Sequence, residues 1–303
     1  MMTLQEELFL RSKPLFHYCS LPLEDALLFE DDLQMGIILN FIAIALMFVP
    51  NCRVLAFAVM SNHLHFILEG EKQYCDAFAD KLTELLDNYH RYNGKTRLCG
   101  RIILQATPIE SLRQLRNEIV YVIRNPFVVR TDVNVFACPS TSGYLYFNPL
   151  LKREGVPAST LRGRSLREFL HTRNVFPLTD RFYVNDGFAQ PWSFVDYERA
   201  MSFFSCAREF IMWTLKNVEG QVEIALKRGE NIALADQEAL TLACRLCSEN
   251  FGHVQITKLN TSDKMRIALN MKNNYRVSNG QISRTLGLPL KDVNAMFPLT
   301  AKS

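Results

Sequence analysis

Met60-Ser61-Asn62-His63-Leu64-His65 places two imidazoles one residue apart, directly before the apolar run Phe66-Ile67-Leu68. On an extended strand, residues i and i+2 point to the same face. His63 and His65 then share a face while Leu64 turns to the core. Neutral imidazole nitrogens are common ligands for divalent first-row metals. Two such ligands leave coordination positions open, which catalysis requires and a structural zinc site lacks. A lone His-x-His is also a frequent hydrogen-bonded strand feature, so the pair needs support from elsewhere in the chain.

That support comes about 55 residues later, in Glu118-Ile119-Val120-Tyr121-Val122-Ile123-Arg124-Asn125-Pro126. Tyr121 and Asn125 lie four residues apart and share one helix face. The carboxamide oxygen of Asn125 suits a hard ion, Mg²⁺ or Mn²⁺. Asn125 also suits a helix end before proline, and both roles can hold. Tyr121 is the candidate nucleophile. A phenol with a pKa near 10 is weak at neutral pH. A metal on the scissile phosphate stabilises the charge that develops when it attacks. The product is a phosphotyrosine that conserves the bond energy for rejoining. The plain alternative for Tyr121 is a core aromatic among Ile119, Val120, Val122 and Ile123. Tyr89 and Tyr92 are second-choice nucleophiles.

The elements that must position these residues follow from periodicity and breakers. Phe16–Cys19 reads as a strand, and Glu30-Asp31-Asp32 opens a helix that runs to about Phe48. Arg53–Val59 and His63–Leu68 read as strands joined at Ser61-Asn62. Lys72–Tyr92 has helical spacing in Phe78, Leu82, Leu85, Leu86 and Tyr89, and Asn93-Gly94 ends it. Arg101–Ala106 is a fourth strand. Pro108–Arg124 is a helix that Pro126 is expected to stop. The order β-α-β-β-α-β-α implies an α+β fold. Its first six elements give a ferredoxin-like antiparallel sheet with helices on one face, leaving the other face for a site. The apolar run Gly36–Val49 is shorter than the roughly 20 residues a bilayer needs and reads as a buried core helix.

Beyond Pro126 the chain is less regular. Cys138–Gly143 is a turn cluster, followed by the aromatic patch Tyr144–Phe147. A basic helix is expected over 160–173 and an extended linker over 177–191. From about Phe194 the pattern is helical, with segments near 195–216, 218–229, 235–250 and 262–274. Ser278–Pro289 and the helix Leu290–Phe297 resemble a helix-turn-helix step, a module whose second helix can enter a DNA groove. The expected division is 1–150 catalytic, 151–193 basic or extended linker, and 194–303 helical.

The 303 residues carry a net charge of +3, with 48% hydrophobic and 21% charged residues, as in ordinary globular proteins. The charge is uneven. Residues 1–92 hold 6 basic and 13 acidic side chains, residues 93–173 hold 13 and 5, and residues 174–303 hold 15 and 13. The basic excess surrounds Tyr121, as a polyanion partner would require. Arg113, Arg116, Arg124 and Arg130 are candidate phosphate contacts. Tyr144, Tyr146 and Phe147 are either stacking platforms for unpaired bases or core aromatics. The eight cysteines show no paired framework and no signal peptide precedes them, so a reducing cytoplasm is expected. The single CxxC, Cys244–Cys247, reads as helix cysteines rather than a metal or redox pair.

Taken together, the two motifs resemble those of the single-tyrosine HUH transposases, especially the REP-associated tyrosine transposases. That family's strand motif reads Met-Pro-Asn-His-hydrophobic-His, and here Met60–His65 matches it with Ser61 in place of Pro. The nucleophile segment reads Tyr-Ile-x-x-Asn-Pro, and here Tyr121–Pro126 matches it. The resemblance covers about residues 10–150. It implies a ferredoxin-like catalytic domain in which His63, His65 and Asn125 hold Mg²⁺ or Mn²⁺ and Tyr121 attacks DNA. It further implies single-stranded or hairpin DNA as partner, a 5′-phosphotyrosine intermediate, and action as monomer or homodimer without a membrane. The basic segment between the two helices is short here, from Asn93 to Arg101, which bears on hairpin recognition. Two other readings remain open: a domesticated, non-catalytic DNA-binding regulator, and a metallohydrolase that uses activated water and is indifferent to Tyr121.

Overall fold

The computed structural model describes residues 2–23, 27–129, 136–171, 179–216, 236–252, 255–275 and 277–298. Four strands, β1 (Leu15–Ser20), β2 (Arg53–Val59), β3 (Leu64–Glu69) and β4 (Leu104–Pro108), form a sheet in the order β2-β3-β1-β4. Every neighbouring pair is antiparallel. With α2 (Asp32–Phe48), α3 (Lys72–Tyr92) and α4 (Leu112–Val129), this is the ferredoxin-like α+β order expected, with β1 and β3 at the centre. A short helix α1 (Leu4–Leu10), not anticipated, precedes β1 and begins with a reciprocal Thr3–Glu6 capping box.

The alternation of β3 separates structure from chemistry. Phe66 meets Phe78 of α3 edge to face, at 5.5 Å between ring centroids. On β1, the Tyr18 hydroxyl donates to Asp76 of α3 at 2.6 Å. The opposite face carries His17 and His65, because Cys19 pairs with His65 and His17 with Ile67 in the β1–β3 register. That face is covered by α4.

Helix α4 does not stop at Pro126; it continues to Val129. An interior proline removes one backbone hydrogen bond. The helix outlasts that loss because Ile119, Val120, Val122 and Ile123 are fully buried and tertiary packing holds the segment.

The stretch expected to be irregular seals an edge. Strand β2 would otherwise show unpaired backbone to solvent. Val59 N–H donates to Ser140 O at 2.8 Å, Ser142 N–H to Phe57 O at 3.1 Å, and Asp196 N–H to Val54 O at 2.8 Å. The Tyr146 hydroxyl donates to Leu55 O at 2.6 Å.

Residues 151–193 are not a linker. The chain divides into two compact units, 1–126 with 133–216, and 127–132 with 217–303. The boundary expected near 150 therefore moves to about 216. The reason lies in α2. Residues from Met35 to Leu46 are buried without interruption, so sheet and α3 alone cannot cover the helix. Its other side is covered by α5 (Gly163–Leu170) and the hairpin β5 (Tyr183–Asn185)–β6 (Phe188–Ala189). Asn40, fully buried on α2, ties this cover down. Its carboxamide donates to Phe169 O at 3.2 Å and Gly187 O at 2.9 Å, and accepts from Ala189 N–H at 2.7 Å. Gly36 lies against the Phe188 ring, where a Cβ would stand 2.5 Å from the ring edge. The helical stretch expected over 195–216 is broken into α7 (Tyr197–Ser202) and α8 (Ala207–Lys216), and a short α6 (Pro191–Phe194) precedes it.

In the second unit, helices Asp236–Phe251, Thr261–Tyr275, Asn279–Leu286 and Leu290–Met296 pack around Leu246, Met271, Ile282 and Val293. Ser278 caps the third helix, and Gly287, at φ 61°, makes the turn into the fourth. The helix expected near 218–229 lies outside the described residues. Cys247 is buried and Cys244 exposed, both as free thiols.

Asn40→Ala leaves one buried N–H and two carbonyls without their partner. It is expected to lower unfolding stability by about 1–3 kcal/mol, read as a reduced urea midpoint with an unchanged slope.

Candidate functional site

Two central strands and one helix bring a chain of polar side chains into an otherwise apolar layer. Glu118 Oε2 of α4 accepts from His17 Nδ1 at 2.5 Å. His17 Nε2 meets His65 Nδ1 at 3.0 Å. His65 Nε2 meets Asn125 Nδ2 at 3.1 Å, and Asn125 Oδ1 meets His63 Nε2 at 3.3 Å. His63 Nδ1 meets Asn62 Oδ1 at 2.8 Å. All five of His17, His63, His65, Glu118 and Asn125 are buried.

The backbone fixes both ends. Asn62 sits in the turn between β2 and β3, where Met60 N–H donates to His63 O at 2.9 Å and Leu23 N–H to Asn62 O at 2.9 Å. Its own amide donates to Leu23 O at 3.3 Å, so Oδ1 is the atom turned to His63. His63 therefore donates from Nδ1 to Asn62. Burial pushes the His63 imidazole down to about 4, with the Asn125 contact opposing, so the ring is neutral at pH 7. A neutral ring that donates from Nδ1 presents a lone pair at Nε2.

The result is a surplus of acceptors. His63 Nε2 and His65 Nε2 both face the Asn125 carboxamide, whose amide hydrogens serve His65. Its oxygen then faces the His63 lone pair. Two imidazole nitrogens with a carboxamide between them are donors of the kinds that a divalent cation takes. The residues present fit such an ion, because a cation satisfies the opposed lone pairs that no proton fills. Among the described residues no group of three His, Cys, Asp or Glu side chains is disposed to hold a metal.

Tyr121 lies one turn before Asn125 on α4, on the same face. Its ring centroid is 5.7 Å from that of His65 and 6.1 Å from that of His17. The residue is 4% exposed, so a phosphodiester reaches its hydroxyl only when part of the cover is displaced.

The expected DNA contacts fare differently. Arg116 donates from Nε to Phe203 O at 2.7 Å, pairs with Glu209 at 2.8 Å and stacks on Phe204 and Trp213. Arg124 is buried and donates to Thr214 O at 2.9 Å. Both hold 203–214 against α4 rather than waiting for phosphate, because their guanidinium groups satisfy carbonyls that would otherwise be buried unpaired. Tyr146 is a core residue at the β2 edge, with its phenol pushed upward by burial. Tyr144 is half-buried and, with Phe147 and Phe210, lines a cavity of about 260 Å³. Arg113 is exposed on the first turn of α4. Arg130 lies outside the described residues.

His17 and Glu118 belong to the same cluster, although the sequence reading assigned them no role. The signals were present. His17 is the one imidazole inside the buried run Leu15–Cys19, and Glu118 is the sole acidic residue between Glu110 and Asp132, one turn before Tyr121. Their partnership spans 101 residues and required the fold.

No protein-family model matches the chain, and no curated protein matches it. Among solved structures, a REP-associated tyrosine transposase bound to a REP hairpin is similar over 47% of this chain and 83% of that one, at 14% identity and a TM-score of 0.35. A likeness that remote bears on neither activity nor substrate.

His63 has its folded pKa below the ordinary value of 6.5, at about 4. Between those values the unfolded chain binds the extra proton, so stability rises with pH through that window and is lost on acidification. In chelator, His63→Gln is expected to lose less of its urea midpoint than wild type between pH 7 and pH 4.5.

Proposed function

We propose that this protein is a metal-dependent DNA strand transferase that cleaves and rejoins single-stranded or hairpin DNA through Tyr121. The observation that carries the reading is the placing of the Asn125 carboxamide between His63 Nε2 and His65 Nε2, beside the Tyr121 ring. His63, His65 and Asn125 hold Mg²⁺ or Mn²⁺. When bound, the ion supplies charge stabilisation to the phosphate under attack. Tyr121 Oη forms a bond to phosphorus, the bond to the 3′ oxygen breaks, and that oxygen takes up a proton as the phenol loses one. The chain then holds a 5′-phosphotyrosine, and attack by a 3′ hydroxyl reverses the step and rejoins the strand.

Burial shapes this chemistry. A phenol enclosed by α4 and the two central strands is shielded from water, so it stays inert until a bound strand displaces the cover. Burial of Tyr121 is also what favours the second reading, a DNA-binding regulator without catalysis. Among the described residues between Leu98 and Arg173, Arg113 and Arg167 are exposed cations that suit a polyanion, and Arg153 and Arg164 are exposed while paired with Glu198 and Glu168.

The deciding measurement is a denaturing gel of protein with end-labelled single-stranded DNA carrying flanking palindromes, in Mg²⁺ or Mn²⁺. A covalent band is expected with wild type and none with Tyr121→Phe or under chelation; His63→Ala is expected to reduce it at least 100-fold. Cleavage that survives Tyr121→Phe would indicate a metallohydrolase. Tight binding without cleavage across a panel of hairpins would indicate the regulator.

A further inference from the structure

The chain of contacts behind His65 has a direction. Glu118 is a carboxylate and only accepts, so His17 carries its proton on Nδ1. From the other end, Asn125 Nδ2 donates to His65 Nε2 at 3.1 Å, which makes that nitrogen the lone pair. His65 then carries its proton on Nδ1 and donates it to His17 Nε2 at 3.0 Å. We propose that Glu118 and His17 are positioning residues that hold His65 in its Nδ1–H tautomer, so that its Nε2 lone pair is fixed at the cation position before any ion arrives. The proposal rests on the metal-site reading above.

Two features support a dedicated role. The pair is expensive to place: His17 is fully buried and Glu118 is 3% exposed, between a central strand and the helix that carries Tyr121. A buried carboxylate is retained at that depth only when its partner satisfies it. The arrangement also extends one residue further than the common carboxylate–histidine support of a ligand, since a second imidazole stands between carboxylate and ligand. The intermediate ring spans the distance from α4 across β1 to β3. His63 obtains the same tautomer locally, from Asn62 in the adjoining turn. The two ligands are thus prepared by independent means, one from the turn and one from the far side of the sheet. No net charge changes when a tautomer is selected.

The test uses full-length protein labelled with ¹⁵N-histidine, in chelator, and reads the two ring nitrogens of each histidine by long-range proton–nitrogen spectra. His65→Gln assigns the signal. In wild type His65 is expected to be protonated at Nδ1. In Glu118→Gln it is expected to become a mixture, because a carboxamide can donate as well as accept. In His17→Phe it is expected to shift toward Nε2–H. Mn²⁺ affinity, read from the free-ion paramagnetic resonance signal, is expected to fall roughly 10- to 100-fold in both variants. A wild-type His65 protonated at Nε2 overturns the proposal with no variant needed. Unchanged tautomer and affinity in Glu118→Gln, with affinity lost in His63→Ala, overturns it while leaving the metal site standing. Wild type that binds no Mn²⁺ overturns the metal site and this proposal together.

Discussion

A buried polar layer has to be fully satisfied, and in this molecule that requirement governs how α4 meets the sheet. Five polar side chains lie between β1, β3 and α4, where the surroundings are Ile, Val and Leu. They lie in line from Glu118 to His63, with Asn62 holding the last ring, and the one junction where two acceptors face each other is His63 Nε2 with Asn125 Oδ1. In a low-dielectric interior, a half-satisfied network costs more than an apolar core, so a shift of α4 by one turn or of β1 by one residue is strongly penalised. The network therefore fixes the register of the helix on the sheet. Because Tyr121 is carried by that helix, it fixes the tyrosine beside the imidazoles as well.

The remaining elements make such a layer tenable. The sheet is closed on its far side by α2 and α3, and its β2 edge is closed by 140–146 and 195–196. Glu69, at the end of β3, is a second buried carboxylate on the site's face; Arg199 of α7 meets it at 3.1 Å and also reaches Ser12 at 2.7 Å. Parts of the chain expected to lie apart from the sheet are thus structural members of it. Arg116 and Arg124 are in the same class: their charge was legible, but their partners are main-chain carbonyls and Glu209.

Much of the layout could be read directly from the chain. The limits of β2 and α3 coincide with those expected, because Arg53–Val59 is a dense apolar run bounded by turns and Lys72–Tyr92 has an uninterrupted helical stripe. The alternation at His63-Leu64-His65 determined that both imidazoles share a face, since strand pleating allows no other outcome. The spacing of Tyr121 and Asn125 determined that they share a helix face. These are local rules of period two and period 3.6, and they need no knowledge of the rest of the molecule.

What only the tertiary structure decided is who meets whom across long separations. That α4 passes Pro126, that 151–193 covers α2, and that Tyr146 is a core residue depend on burial supplied by distant segments. The joining of His17 to Glu118 and to His65 is of the same kind: each is an ordinary polar residue in its own segment, and only antiparallel pairing of β1 with β3 under α4 brings them within hydrogen-bond reach. Sequence periodicity states which way a side chain points. Which lone pair it meets there is set by packing, because a hydrogen bond depends on a few tenths of an ångström that no local pattern encodes.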